Sequence, residues 1–251
     1  MKNKRVSEEE SKKIRFDIMV EVDEFCRKNH LRYYLAYGTL LGAIRHKGYI
    51  PWDDDTDLMM PRKDMEIFKK TFKSNRFKFS DIDTEPYYDF PFPRITCSET
   101  FDKRGLTAKY YGVNVDLYPI DGLPEDDAKI QYFFNQYHAV FRPRLFWRRV
   151  RNKLINYIPI KTIPFFKFLT KRCSNLISRY DMETSSKVMV FDCRVYEKSI
   201  FRDVVEVEFE GRNFYAPIGY KDFLRTTYGD YMQLPPEEER KPYHSVNYYW
   251  K

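Results

Sequence analysis

Residues 52–60 read WDDDTDLMM, four aspartates in five positions that run directly into large apolar residues. Carboxylates repel one another and are costly to bury, so a fold that accepts this stretch must bring water or a cation to it. Alternation through residues 53–60 predicts a strand. Asp53, Asp55, Asp57 and Met59 would share one face, with Trp52, Asp54, Thr56 and Leu58 on the other. At i and i+2, Asp55 and Asp57 would point the same way, about 7 Å apart along the backbone. That spacing suits an oxygen-ligated divalent cation with positions left open for water and phosphates.

Two carboxylates alone hold Mg2+ weakly, and Asp116, between Val115 and Leu117 in the apolar stretch VNVDLYP, is the expected third ligand. A solvated acidic turn or a structural calcium loop is the plain alternative. The apolar flanks, the one-face spacing and the turn upstream argue against it. That turn is Gly38-Thr39, which follows the short strand RYYLAY and opens a helix reaching about residue 47. A helix N-terminus directs free N–H groups and the positive end of its dipole at an anion, and glycine lets the backbone approach closely. Such a turn, then paired aspartates, then a distant third, is the plan of a nucleotidyltransferase-like fold.

The rest of the chain supports an α/β (α+β) class with a mixed sheet and a helical insertion. Residues 7–29 have helical spacing, with Ile14, Ile18, Val22 and Phe25 on one face and a capping box between Ser7 and Glu10. Pro61 ends the aspartate strand, and a helix is expected over 65–72. RFKFSDI, FPRITCSETF and VNVDLYPIDGLP read as strands, the last closed by an Asp-Gly turn that would account for Asp121. KVMVFDC, VVEVEFEGRNFYAP and GYKDFLRTTYG read as strand, hairpin and helix. The expected organisation is a catalytic domain of residues 1–128 and 181–251, interrupted by a basic, aromatic helical insertion at 129–180. Trp52 is expected in the core, and Asp54 in a hydrogen bond or helix cap.

YGTLLGAIRHKGYIPWDDDTDLMMPR closely resembles the signature of the LicD proteins, phosphocholine transferases of bacterial surface glycans, and is similar to that of fukutin and fukutin-related protein. VNVDLYPIDG and YGDYMQLPPEEERKPYH resemble further LicD motifs in the same order, so the likeness spans about residues 33–244. The resemblance implies transfer of a phospho-alcohol from a CDP-activated donor to a glycan hydroxyl, with release of CMP. It implies Asp55, Asp57 and Asp116 as ligands of Mg2+ (or Mn2+), Asp53 as a supporting carboxylate, and Gly38 and Thr39 at the donor diphosphate. One of the three aspartates, Asp116 first, would accept the hydroxyl proton. Arg45 and His46 are candidates for phosphate or cytidine contact, Arg45 equally for a surface pair with the aspartates. His244 is a candidate through its motif, with packing as its ordinary role.

Charge is segregated. Residues 129–180 hold 12 Lys or Arg and no Asp or Glu, leaving 32 bases against 37 acids elsewhere. Basic residues interleaved with Phe, Trp and Ile suit peripheral contact with an anionic membrane, beside which a lipid-linked glycan acceptor would sit. A helical cap with a solvated basic face is the alternative; no nucleic-acid motif accompanies the charge. Scattered cysteines, no signal-type leader and no spanning apolar run give the expectation of a cytoplasmic protein, with peripheral contact at the inner face of the cell membrane expected from the basic block. Two other functions share these features: a nucleotidyltransferase releasing pyrophosphate, and a non-catalytic glycan-assembly protein.

Overall fold

Ser7 starts the first helix as its sequence directs. Its Oγ accepts from the Glu10 N–H at 3.0 Å, and the Glu10 carboxylate accepts from the Ser7 N–H at 2.7 Å. Helix α1 (Glu8–Lys28) then buries Ile14, Ile18 and Val22, while Phe25 packs edge-on against Phe68 and Phe72. The computed structural model describes residues 3–85, 88, 90–102, 111–153, 163–242 and 246–251.

After α1 come β1 (Tyr34–Leu35), α2 (Tyr37–Arg45), β2 (Asp57–Pro61) and α3 (Arg62–Thr71). Next are β3 (Phe77–Ser80), β4 (Arg94–Cys97), β5 (Thr100–Asp102) and β6 (Asn114–Gly122). Two helices follow, α4 (Asp127–Lys153) and α5 (Ile163–Ile177). The chain continues with β7 (Lys187–Met189), β8 (Tyr196–Glu197), β9 (Val204–Phe209), β10 (Arg212–Pro217), α6 (Tyr220–Tyr228) and β11 (Tyr248–Trp250).

Among the described residues, seven strands form one mixed sheet with the order β1-β2-β6-β4-β3, and β7 and β8 attach through β6. Among the described strands only β2 and β6 pair in parallel, and their register sets Asp57 opposite Asp116. The fold is thus the expected mixed α/β class. The hairpin β9–β10 also forms as read, turning at Glu210 and Gly211, both at positive φ (50° and 74°), as a two-residue hairpin loop requires. All four cysteines are free. Ile130, Phe133 and Tyr137 of α4 and Cys173 and Ile177 of α5 form a second, smaller apolar cluster with Leu123 and with Met189 of β7.

Several local expectations are corrected. The aspartate strand starts at Asp57, because β6 offers β2 a ladder only from that residue onward; 53–56 form a loop anchored by the Asp53 N–H on the Ile50 carbonyl at 2.9 Å. FPRITCSETF is two strands, β4 and β5, with separate partners. Asp121 and Gly122 do not turn: they stay in β6 and pair with Met189 and Val188 of β7. Asp121 is buried in an ion pair with Arg62, whose Nη2 donates to Oδ2 at 2.7 Å. Trp52 is half-buried at the rim of the core, with the Arg240 guanidinium 5.5 Å from its ring centroid.

Candidate active site

Three local decisions converge where the parallel pair of interior strands β2 and β6 begins. The loop 53–56 brings carboxylate oxygens of Asp53, Asp54 and Asp55 within 4.8 Å of one another. The β2–β6 register then sets Asp57 beside Asp116, both buried. Helix α2 begins against them: its N-cap, Ala36, supplies no side-chain cap, and its first turn holds no acidic residue. The Asp53 carboxylate lies where a Gly38 side chain would be, since a Cβ there would fall 2.3 Å from Oδ2. Tyr37 enters the helix at φ 40°, a left-handed conformation that costs a non-glycine residue about 1–3 kcal/mol and collects at functional sites.

Electrostatics sharpen the picture. Burial, followed by Asp55, Asp116 and Asp53, holds the Asp57 carboxyl well above the ordinary carboxylate range, against a weaker opposing pull from Arg94. Its Oδ1 is buried without a hydrogen-bond partner. Burial and then Asp55 push Asp53 up to about 7. Negative charge is therefore concentrated beyond what the surrounding protein compensates, the condition in which a cation binds. Asp116 is different. Arg94, its register partner on β4, brings Nε to 2.7 Å from Oδ1 and donates Nη2 to Oδ2 at 3.1 Å. Asn114 donates to Oδ1 at 2.8 Å, and the Tyr118 hydroxyl reaches Oδ2 at 3.4 Å.

The sequence candidates separate accordingly. Asp53, Asp55, Asp57 and Asp116 come to one place, and Asp54, read as facing away, joins them. Gly38 sits inside the first turn of α2 rather than ahead of it. Thr39 is buried, and its Oγ1 accepts the Asp57 N–H at 2.8 Å, so its hydroxyl braces the start of β2. Arg45 turns away from the aspartates and donates to the Tyr231 and Gln233 carbonyls at 2.9 and 3.2 Å, pinning the segment after α6. His46 meets Trp52 edge-on at 6.0 Å, its imidazole lowered by burial and by Arg45. His244 lies outside the described residues.

Sequence reasoning missed Arg94, Tyr118 and Arg240. The signal for Arg94 was present: a lone base opening the apolar strand ITC needs a carboxylate beside it. Tyr118 stacks on Phe191 at 5.8 Å and packs against Phe92 at 4.6 Å, so an aromatic wall flanks Asp116. Nothing local in the sequence marks that wall.

A mixed sheet whose parallel pair carries facing aspartates, next to an aspartate loop and a helix N-terminus, defines the class: a nucleotidyltransferase-like α/β protein. Residues 30–171 match the family described as LicD/FKTN/FKRP, nucleotidyltransferase domain, and the chain belongs to that family. It is 28% identical, over 96% of its length and 97% of the relative, to the lipopolysaccharide cholinephosphotransferase LicD of Haemophilus influenzae. It is 39% identical to the uncharacterized protein RT0683 of Rickettsia typhi, over 51% of this chain and 40% of that one. To mannosyltransferase regulator 4 of Saccharomyces cerevisiae it is 24% identical, over 53% of this chain and 12% of that one.

Proposed function

We propose that this chain transfers phosphocholine, or a closely related phospho-alcohol, from a CDP-activated donor to a hydroxyl of a surface glycan or its lipid-linked precursor, with release of CMP. The observation that carries the reading is the likeness, along nearly the whole chain, to a lipopolysaccharide cholinephosphotransferase. The acidic cluster at the mouth of the parallel strand pair agrees with it.

A hard divalent cation, Mg2+ with Mn2+ as substitute, fits the donor set. The groups are all oxygen, carry excess negative charge, and include the orphaned Asp57 Oδ1. Asp53, Asp54, Asp55 and Asp57 would hold it, with Asp116 behind them on the neighbouring strand. When bound, the ion would neutralise charge on the donor diphosphate and its leaving group. The first-turn N–H groups of α2 favour the same anionic donor. Thr39 fixes the Asp57 backbone, and Arg94 fixes the Asp116 carboxylate. With both oxygens of Asp116 engaged, the acceptor hydroxyl's proton falls to a carboxylate of the cluster other than Asp116.

A donor screen tests the proposal. CDP-choline, CDP-ribitol and CDP-glycerol are incubated with Mg2+ and a glycan acceptor, and CMP is measured. Release of CMP from CDP-choline is expected, with loss in Asp55→Asn and Asp57→Asn. Pyrophosphate release from an NTP in place of CMP would make the chain a nucleotidyltransferase, and no turnover with any donor would make it a non-catalytic assembly protein.

A further inference from the structure

Among the described residues no helix is long and apolar enough to cross a membrane. Large apolar side chains are nevertheless exposed on the α4–α5 pair: Phe146 is 59%, Phe165 47% and Phe168 60% accessible. They are not scattered. Arg144 Nε donates to Thr170 Oγ1 at 3.1 Å, a buried bond that sets these two helices side by side at that level. Phe146 and Phe168 each lie two residues from that tie, and both are exposed. Phe165, Phe168 and Arg172 follow at i, i+3 and i+7, one helix face, with Lys171 beside them; Arg142 precedes Phe146 by one turn. Each helix of the pair thus carries exposed aromatic rings with bases one turn or less away.

We infer that this face is a docking surface for an anionic lipid bilayer. Charge complementarity selects that occupant: residues 129–180 carry 12 bases and no acid, while the remainder of the chain is net acidic. Bases attract the anionic head groups, and the rings enter the boundary between head groups and acyl chains. A relay of ring contacts also links α4 to the acidic cluster. Phe141 of α4 contacts Phe191 at 5.7 Å, Phe191 stacks on Tyr118, and Tyr118 reaches Asp116. A bilayer on Arg142, Phe146, Phe165, Phe168, Lys171 and Arg172 would therefore hold a lipid-linked acceptor next to the site. This deepens the acceptor reading above and rests on it for its purpose, while the binding itself is measured without any turnover.

The test is flotation of the full-length protein with vesicles of phosphatidylcholine containing 30 mol% phosphatidylglycerol, on the order expected for an anionic leaflet. Wild type is expected to float with these vesicles at low salt, and to stay behind with pure phosphatidylcholine or at high salt. Arg142→Ala with Arg172→Ala should weaken partitioning about fivefold per base removed, and Phe168→Ser with Phe146→Ser should weaken it further. In all of them, CMP release with a water-soluble acceptor should match wild type. Absence of flotation, flotation equal on neutral vesicles, or variants that float as wild type does would each overturn the proposal. So would displacement of the protein from the vesicles by stoichiometric single-stranded RNA. If wild type floats but releases no CMP, the surface stands and the activity reading fails.

Discussion

Replacing Gly38 by alanine separates the cost to the fold from the cost to the site. Gly38 lies in the first turn of α2 and is not at positive φ, so alanine is normally favoured there by about 0.5–1 kcal/mol. The added Cβ would stand 2.3 Å from Asp53 Oδ2, whereas ordinary contact begins near 3.4 Å. The three nearest atoms all belong to that one carboxylate, the end of a side chain that can move without the backbone. Asp53 must instead retreat by about 1 Å, a displacement that typically lowers turnover by about 100-fold when it falls on a reacting group. For a chain of this size 1 kcal/mol corresponds to about 2–4 °C in Tm. Gly38→Ala is therefore expected to melt at the wild-type temperature or slightly above it, yet to release CMP about 100-fold more slowly. Scanning fluorimetry and a CMP assay on the same preparation measure both. Combining it with Asp53→Ala should cost little beyond either change alone, because both act through one carboxylate. Wild-type turnover in a folded Gly38→Ala protein would refute the placement of Asp53 in the working site.

Asp57→Asn removes a buried charge crowded by Asp55, Asp116 and Asp53, so in EDTA it should melt above wild type while losing turnover and most of the Mg2+-induced rise in Tm. Asp121→Ala strands Arg62 and should cost about 3 kcal/mol in urea unfolding, the lower end for a broken buried pair because Arg62 keeps some solvent contact. Ser7→Ala loses the capping box of α1 and should cost about 1 kcal/mol without changing turnover. Burial pushes the Cys173 thiol up to about 11 and Cys193 up to about 12, and Cys26 higher still. Thiol titration at pH 7 should accordingly be slow in the native protein and complete for all four cysteines in denaturant.

What could be read from the sequence is what short-range chemistry decides. The capping box at Ser7 and Glu10, the apolar stripe of α1, the Glu210-Gly211 hairpin and α6 follow from neighbours within a few residues, and they form as read. The aspartate stretch was legible as a site because nothing local can neutralise it. Its geometry was not. Alternation placed Asp54 on the far side of a strand, but a strand exists only where a partner supplies hydrogen bonds, and β6 begins to pair at Asp57. Upstream of that point the chain is a loop, which gathers Asp53, Asp54 and Asp55.

Asp116 and Asp121 show the same division. Both stand in apolar stretches of one strand; the sequence marked Asp116 as a charge that needs a partner, whereas Asp121 read as turn chemistry and its need was missed. Tertiary structure decided which: Arg94, 22 residues back, for Asp116, and Arg62, 59 residues back, for Asp121. Asp116 thereby becomes a clamped neighbour of Asp57, and Asp121 a structural pair rather than a turn. The physical reason is that a buried charge states its need through its own side chain, whereas the group that meets it is chosen by strand register, a property of segments distant in the chain.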